Sequence, residues 1–220
     1  MQKQEIKGCI FDLDGVIVDT AVYHFSAWKR LANTLGIDFT EAENEKLKGV
    51  SRVDSLKLIL DWGGVTKTES EQAILAQQKN AWYVEMISEM QPDEILPGVT
   101  AFLEDLRKRN IKIALGSASK NARAILEKVS LLHYFDAIID GTLVTASKPD
   151  PEVFIKGAEA LNVQPAECIV FEDAEAGVQA AIAGGMRVVG IGDPALLNEA
   201  DLVIPGFENL SFDQLTELTR

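Results

Sequence analysis

The chain has 220 residues, of which 47% are hydrophobic, and it carries a formal net charge of −13 at pH 7. This length is sufficient for one sizeable core, or for a core with a small inserted domain. An acidic chain without a basic stretch is not expected to bind nucleic acid or anionic membranes. The polar N-terminus does not resemble a signal peptide and no apolar run has the length of a membrane span, so we expect a cytoplasmic protein.

The first predicted element is a short buried strand over Gly8–Phe11, which leads directly into Asp12, Leu13, Asp14 and Gly15. Ligands of open α/β sheets bind just outside the carboxyl ends of the strands. Two neighbouring carboxylates repel each other unless a cation or a shared proton compensates. The spacing therefore predicts a Mg²⁺ site, a nucleophile with an acid/base partner, or both.

The sequence contains two cysteines, Cys9 in this first strand and Cys168 in a later apolar run. In such runs a buried free thiol is commoner than a disulfide or a metal ligand. We therefore expect both cysteines to be free and buried.

Residues 20–92 show only helical patterns. The predicted helices cover residues 21–35, 41–48, 53–62 and 70–90, and Gly36 is a plausible stop for the first of them. Trp28, Trp62 and Trp82 recur at helical spacing and are expected in the core of a small bundle. The pattern predicts a helical domain without strands.

After Pro97, helices alternate with short β-rich runs. Strands are predicted over residues 111–116, 137–140, 168–171, 187–191 and 201–204, and helices over residues 99–109, 121–131, 151–161, 175–183 and 212–218. This alternation predicts a Rossmann-like, doubly wound parallel sheet of the α/β class. Because the first strand precedes the helical region, we expect an α/β core domain of residues 1–18 and 94–220 with an inserted α-helical cap domain of residues 19–93.

Polar side chains follow several of the predicted strands. Ser117 follows the second strand, Glu172 and Asp173 follow a later one, and Lys148 precedes a helix. Singly, the serine and the acidic pair could cap helices and the lysine could be solvated. Parallel strands share one carboxyl edge, so together these groups should converge on one crevice.

These residue types form a coherent chemical set. The carboxylates Asp12, Glu172 and Asp173 supply the hard oxygen ligands that suit Mg²⁺. Ser117 and Lys148 offer a hydroxyl donor and a cation for the oxygens of a transferring phosphoryl group. One aspartate after the first strand can attack phosphorus while the other moves the proton.

Residues 10–19, followed in order by Ser117, Lys148 and the Glu172–Asp173 pair, resemble the motifs of the haloacid dehalogenase-like phosphotransferase superfamily. The resemblance covers the whole chain, including a helical cap after the first motif. It implies that Asp12 is the nucleophile and Asp14 the general acid/base, with Ser117 and Lys148 as further catalytic residues. It also implies that Mg²⁺ is held by Asp12, the main-chain carbonyl of Asp14, Glu172 and Asp173.

Within that superfamily, residues 19–28, 47–56 and 116–121 are similar to the β-phosphoglucomutase family. The resemblance implies that Arg52 binds the phosphate that is not being transferred, and that Asp14 also contacts the substrate. The other substrate-binding residues that it implies are Ser119, Lys120 and Asn121 at the distal phosphate, His24 and Lys79 at the hinge, and Gly49 and Val50 against the sugar. The implied reaction interconverts β-D-glucose 1-phosphate and glucose 6-phosphate, carried out by a monomer on a small sugar phosphate.

A mutase of this kind must hold two phosphates at opposite ends of one sugar, whereas a phosphatase needs to hold only one. Arg52 is suited to the second site because a guanidinium binds phosphate bidentately. A Mg²⁺-dependent sugar-phosphate phosphatase is the first alternative, and a receiver domain phosphorylated on aspartate is the second. The sequence departs from the family pattern at Gly116, Asp150 and Glu175, and none of these changes removes a catalytic group.

Overall fold

The computed structural model describes residues 5–218, so the two ends of the predicted core domain, residues 1–4 and 219–220, lie outside it. The strands are β1 (Gly8–Phe11), β2 (Lys112–Gly116), β3 (Ala137–Ile139), β4 (Cys168–Glu172), β5 (Arg187–Ile191) and β6 (Leu202–Ile204). The α-helices are α1 (Ala21–Thr34), α2 (Glu41–Glu45), α3 (Arg52–Trp62), α4 (Glu69–Ile87), α5 (Val99–Lys108), α6 (Ala122–Lys128), α7 (Glu152–Leu161), α8 (Glu175–Ala183) and α9 (Phe212–Leu215).

The strands form one parallel sheet in the order β3-β2-β1-β4-β5-β6. The first strand of the chain therefore lies in the interior of the sheet, between β2 and β4. Phe11, the last residue of β1, is level with Leu115 and Phe171 on its two neighbours. This register brings the residues that follow β1, β2 and β4 to one edge, where the strand order reverses and α/β folds bind their ligands.

Helices cover both faces of the sheet, which confirms the predicted α/β class. One face packs against α5, α6 and α9, and the rings of Phe11 and Phe171 stack there with centroids 4.6 Å apart. The opposite face packs against α7 and α8. Cys9 and Cys168 are buried and free, as predicted.

The helices α1–α4 enclose an apolar cluster of their own, built on residues such as Trp28, Leu31, Leu56 and Ile59. This region therefore has a hydrophobic core of its own. Full burial of one such side chain stabilises a fold by about 1.5–3 kcal/mol. None of the helices formed by residues 5–218 is long and apolar enough to cross a membrane.

The expectation for Trp62 was wrong. Trp82 packs against the cap cluster, but Trp62 is 38% exposed. It is the last residue of α3, and the Lys46 ammonium lies 5.9 Å from its ring centroid. Helical spacing alone does not show how far the neighbouring segments cover a side chain at the end of a helix.

The two connections between the cap helices and the sheet lie side by side. Val18 and Ile95 form an antiparallel bridge, and the Leu96 N–H donates to the Ile17 carbonyl at 3.0 Å. A narrow, paired junction of this kind allows one packed unit to move against another. The predicted domain boundaries lie close to this junction and stay a prediction.

The element ends differ from the predicted ones by a few residues. The helix α2 ends at Glu45 because the N–H groups of Lys46, Leu47 and Lys48 each bond to the carbonyl three residues earlier, as in a tight turn. Glu172 is the last residue of β4 and pairs with Gly190, instead of following the strand. Gly36 has a φ of 70°, which fits the predicted helix stop.

Candidate active site

Asp12 and Lys148 form the centre of the crevice at the carboxyl edge of the sheet. Asp12 Oδ1 lies 2.5 Å from Lys148 Nζ, and its Oδ2 accepts from the Asp14 N–H at 3.1 Å. Lys148 also donates to the Glu172 carboxylate, and all three side chains are buried. Burial by itself would lower the pKa of Lys148, but Asp12 and Glu172 more than offset it and raise that pKa. Lys148 is therefore a buried, charged partner of the carboxylates and not a solvated loop residue.

The acidic pair after Phe171 carries more negative charge than its neighbours compensate. Burial raises the pKa of Glu172 to about 7, against the opposing effect of Lys148. Burial likewise raises the pKa of Asp173 to about 7, although Lys48 of the cap lies 3.2 Å from its Oδ2. Uncompensated, buried carboxylates of this kind favour a bound cation.

The donor chemistry at this edge fits Mg²⁺, which prefers carboxylate and carbonyl oxygens. In the described part of the chain, no three carboxyl, imidazole or thiol groups are already arranged around a common point for a metal. Instead, Lys148 bridges Asp12 and Glu172, and Lys48 pairs with Asp173. The residues can supply the ligands, and the two lysines are their present ion-pair partners.

Gly15 lets the chain turn closely past Asp173. Its φ is 75°, a conformation that side chains with a Cβ rarely adopt, and a Cβ there would lie 2.2 Å from Asp173 Oδ2. A glycine after the two aspartates therefore brings the first strand end against the fourth.

Asp14 lies at the edge of the site and is held by the start of the cap. The Thr20 hydroxyl donates to its Oδ1, and His24 Nε2 lies 4.0 Å from the same atom. Burial and then the charge of Asp12 raise the pKa of Asp14 to about 6, against the effect of the Thr20 hydrogen bond. A carboxyl with this pKa can bind and release a proton near neutral pH, as acid/base catalysis requires.

Ser117 begins the loop that follows β2. Its Oγ accepts from the Ser119 N–H at 3.1 Å, and the Ser119 Oγ accepts from the Asn121 N–H at 3.2 Å. The Asn121 side chain donates to Asn80 Oδ1 on α4 at 3.0 Å. The loop is thus shaped by its own serines and touches the cap through Asn121.

A cavity of about 600 Å³ lies between the cap and the sheet edge. Most of the predicted site residues line it: Asp12, Asp14, His24, Gly49, Val50, Arg52, Lys79, Ser119, Lys120, Asn121, Lys148 and Asp173. Ser117 and Glu172 are buried behind this lining. The cap and the core thus bring residues that are far apart in sequence around one space.

Two cations of the cavity lining, Arg52 and Lys120, are together called the cap end of the cavity. Arg52 is the first residue of α3, whose N-terminus is capped by Ser51, and Lys120 lies in the loop after β2. Among residues 5–218, neither Arg52 nor Lys120 has a carboxylate within ion-pair distance, and both face the cavity. Two unpaired cations in one cavity are suited to binding an anion.

His24 and Lys79 form a buried contact between α1 and α4. Lys79 Nζ lies 3.1 Å from His24 Nδ1 and 4.6 Å from the ring centroids of Trp28 and Tyr83. Burial and the nearby Arg52 lower the pKa of Lys79 to about 7. Burial and the same lysine hold the pKa of His24 well below its usual value, so the imidazole is neutral.

Sequence reasoning missed Thr20, Lys48 and Asn80. Thr20 binds Asp14, Lys48 pairs with Asp173, and Asn80 binds Asn121. Thr20 had one signal, its position immediately before a predicted helix, where threonine commonly serves as a cap. The other two contacts depend on how the cap lies over the core, which no local pattern reports.

A family model described as haloacid dehalogenase-like hydrolase matches residues 6–185. The chain therefore belongs to the haloacid dehalogenase-like hydrolase family, which confirms the resemblance of the motifs.

Within that family, the chain is similar to a β-phosphoglucomutase of Bacillus subtilis (strain 168), with 45% identity over 214 residues that cover 96% of this chain and 95% of the relative. The fold is similar to the crystal structure of a β-phosphoglucomutase from Clostridium difficile, with a TM-score of 0.94, 43% identity and coverage of 96% of each chain. The chain is also 32% identical to a phosphorylated carbohydrates phosphatase of Thermotoga maritima, over 84% of this chain and 85% of the relative.

Proposed function

We propose that the protein interconverts β-D-glucose 1-phosphate and glucose 6-phosphate, through an aspartyl-phosphate on Asp12 and a glucose 1,6-bisphosphate. The observation that carries this proposal is the charge pattern of the cavity between the cap and the sheet edge. Its lining holds the buried Asp12–Lys148 pair, and it also holds Arg52 of the cap and Lys120 of the loop after β2, which have no carboxylate partner among the described residues. A sugar with a phosphate at each end matches both. The 45% identity to a β-phosphoglucomutase supports the same substrate.

Asp12 is proposed to be the nucleophile. Its two carboxylate oxygens are held in place by Lys148 and by the Asp14 N–H. The Lys148 ammonium also supplies positive charge next to the phosphoryl group as it moves to Asp12. Ser117, at the adjacent strand end, is proposed to donate its hydroxyl to a phosphate oxygen.

Asp14 is proposed to move the proton. It protonates the sugar oxygen that leaves when Asp12 is phosphorylated, and it takes the proton from the sugar hydroxyl that attacks the aspartyl-phosphate. A pKa near 6 suits both directions, because each protonation state is accessible near neutral pH. The Thr20 hydroxyl, which binds Asp14, keeps this carboxyl in place between the two steps.

The cap and the loop after β2 are proposed to hold the distal phosphate together, and the cap to exclude water. Arg52, Ser119, Lys120 and Asn121 bind the phosphate that is not transferred. A Cβ built on Gly49 would lie 3.5 Å from Lys148 Cδ, so the cap loop lies close over the catalytic lysine. Closure protects the aspartyl-phosphate from hydrolysis while the bisphosphate turns around.

Asp12, the main-chain carbonyl of Asp14, Glu172 and Asp173 are proposed to hold Mg²⁺. The support is the oxygen chemistry of these residues and the burial that raises the pKa of Glu172 and Asp173, with the nearby charge of Asp12 acting in the same direction. When bound there, Mg²⁺ would supply positive charge to neutralise the transferring phosphoryl group. A single chain is proposed to be active, since one chain supplies every residue named here, and sedimentation velocity can test this.

A sugar-phosphate phosphatase is the second candidate. The 32% identity to a phosphorylated carbohydrates phosphatase favours it. The receiver-domain alternative has no such support, since the family match is to hydrolases and the cap has its own core.

The deciding experiment is incubation with β-glucose 1-phosphate, Mg²⁺ and a trace of glucose 1,6-bisphosphate. The mutase produces glucose 6-phosphate without an equivalent amount of inorganic phosphate. Release of phosphate as the main outcome would replace the mutase by the phosphatase.

A further inference from the structure

One hydrogen bond joins the cap to the core beside the catalytic lysine. Ser147 Oγ donates to Asp54 Oδ2 at 3.0 Å. Ser147 precedes Lys148 in the core, and Asp54 lies in the first turn of α3 in the cap. The two residues are distant in sequence, and neither has a role in the function proposed above.

The other partners of Asp54 lie within the cap. Ser51 Oγ donates to its Oδ2 at 2.6 Å, and Lys57 Nζ lies 3.6 Å from its Oδ1. The Ser51 hydrogen bond is the largest of the effects that lower the pKa of Asp54, so the carboxylate is ionised. A hydrogen bond to an ionised acceptor is stronger than one between neutral groups.

The Ser147–Asp54 contact connects the two phosphate sites by a short path. Arg52 and Asp54 occupy the same helical turn of α3, so a shift of the backbone at one residue also moves the other. Ser147 is bonded covalently to Lys148, whose ammonium holds Asp12. The path therefore runs from the distal guanidinium to the nucleophile through one helical turn, one hydrogen bond and one peptide bond.

Two other contacts across the cavity differ from this one. The Lys48–Asp173 ion pair uses a proposed metal ligand, and the Asn80–Asn121 hydrogen bond uses a proposed phosphate ligand. Both must change when Mg²⁺ or substrate binds to those residues. The Ser147–Asp54 hydrogen bond uses no residue assigned to metal or phosphate, so substrate binding does not have to break it.

We propose that Ser147 and Asp54 are positioning residues, whose hydrogen bond sets the place of Arg52 relative to Asp12 and so favours transfer to a phosphorylated sugar over transfer to water. This inference rests on the proposed mutase function and names two residues that control its outcome. An acceptor without a distal phosphate does not use Arg52, and its reaction is independent of the hydrogen bond.

The test compares Ser147→Ala and Asp54→Asn with Lys57→Ala, which removes a partner of Asp54 inside the cap. The readout is the ratio of glucose 6-phosphate formed to inorganic phosphate released from β-glucose 1-phosphate. We expect Ser147→Ala and Asp54→Asn each to lower this ratio about five- to tenfold, the usual effect of losing such a hydrogen bond. Hydrolysis of acetyl phosphate should stay within about twofold, because it does not use Arg52.

The double variant decides whether the two residues act together. Its ratio should be no lower than that of the worse single variant, since one hydrogen bond can be lost only once. The proposal would be overturned if the fold-losses of the two single variants multiplied in the double variant, or if Ser147→Ala left the ratio unchanged. It would also be overturned if Lys57→Ala lowered the ratio as much as Ser147→Ala does.

A separate measurement does not depend on the reaction. Ile74 in the cap and Leu196 in the core are 62% and 67% exposed, and spin labels on Ile74→Cys and Leu196→Cys report the distance between the two regions. We expect Ser147→Ala to broaden this distance distribution and Lys57→Ala to leave it unchanged. If the parent enzyme forms no glucose 6-phosphate, the proposed function fails. An unbroadened distribution in Ser147→Ala would refute the positioning role itself.

Discussion

The two ends of the cavity are built in different ways. At the core end, the buried carboxylates of Asp12 and Glu172 share one buried cation, Lys148, to which each is hydrogen-bonded. At the cap end, Arg52 and Lys120 face the same space without a carboxylate partner within residues 5–218. The core end is organised before any substrate arrives, whereas the cap end obtains its counter-charge only from the substrate.

This difference separates chemistry from selection. A preorganised centre can transfer a phosphoryl group to any suitable acceptor, including water. A cap that is completed by a second phosphate closes best on an acceptor that carries one, which is a form of induced fit. We therefore expect changes at the core end to abolish transfer and changes at the cap end to alter which acceptor is used.

The largest effect is expected from Asp14→Asn at the core end. The amide cannot move a proton, so mutase turnover should fall by about 10³-fold, within the usual range for a lost acid/base group. The circular dichroism spectrum and the melting temperature should stay close to those of the parent. Asp38→Asn, at an exposed aspartate of the cap, is the matched control. Activity within tenfold of the parent would contradict the acid/base role.

The next effect is expected from Arg52→Ala at the cap end. Loss of a bidentate, charged contact should lower kcat/KM for β-glucose 1-phosphate about 100-fold, while hydrolysis of a small aryl phosphate changes by less than about threefold. Arg30→Ala is the matched control, because the Arg30 guanidinium lies 4.2 Å from the Trp82 ring centroid and outside the cavity lining. Equal losses with both substrates would show that the two ends are not separate in function.

Removal of Mg²⁺ tests the charge at the core end. In the folded protein the pKa values of Glu172 and Asp173 are raised to about 7, above those of the unfolded chain. The folded state then binds more protons than the unfolded state, so without metal stability is lost as the pH rises from about 4.5 to about 7. Ten times Kd of Mg²⁺ should raise Tm by about 5 °C near pH 8 and by less near pH 5.

The control for this experiment is Asp173→Asn, which removes one of the two raised carboxyls. Its Tm should depend less on both Mg²⁺ and pH. An identical Mg²⁺ effect at the two pH values, in parent and variant alike, would show that the cation binds elsewhere.

The smallest effect is expected from Gly116→Ala, which tests how tightly the core end is packed. A Cβ at Gly116 would lie 2.9 Å from Phe154 Cδ1. The strain should lower the free energy of unfolding by about 1–2 kcal/mol in urea. Gly206→Ala is the control, because a Cβ there meets nothing within 4 Å. A variant as stable as this control would show that Phe154 moves aside, and the packing account would be wrong.

The core end could be predicted from the sequence because its residues follow strands that short local patterns reveal. Each strand shows as a short apolar run, the parallel arrangement follows from the alternation with helices, and the shared edge follows from the arrangement. The sequence pattern alone thus predicts one shared edge for Asp12, Ser117 and Glu172. The roles of Arg52 and Lys79 came from family resemblance, since a lone cationic residue on a helix has no local signal.

The contacts between the cap and the core could not be predicted in the same way. The contacts of Thr20 with Asp14, of Lys48 with Asp173 and of Ser147 with Asp54 depend on the angle at which the cap lies over the sheet. That angle is set by packing between distant segments and by the paired connections at Val18 and Ile95. Trp62 shows the same limit. Its spacing correctly predicts a helix, but it wrongly predicts that the side chain is buried.

The position of β1 has a consequence for synthesis of the chain. This strand is made first, but its partners β2 and β4 begin at Lys112 and Cys168, so the cap helices leave the ribosome before either partner strand does. Since domains fold as they emerge, at about 5–20 residues per second, the cap can fold while Gly8–Phe11 has no neighbouring strand on either side. Nascent chains stalled when α4 has just left the ribosome should therefore contain a compact helical unit and an unpaired apolar strand segment, and this is the stage at which a chaperone has the most apolar surface to cover.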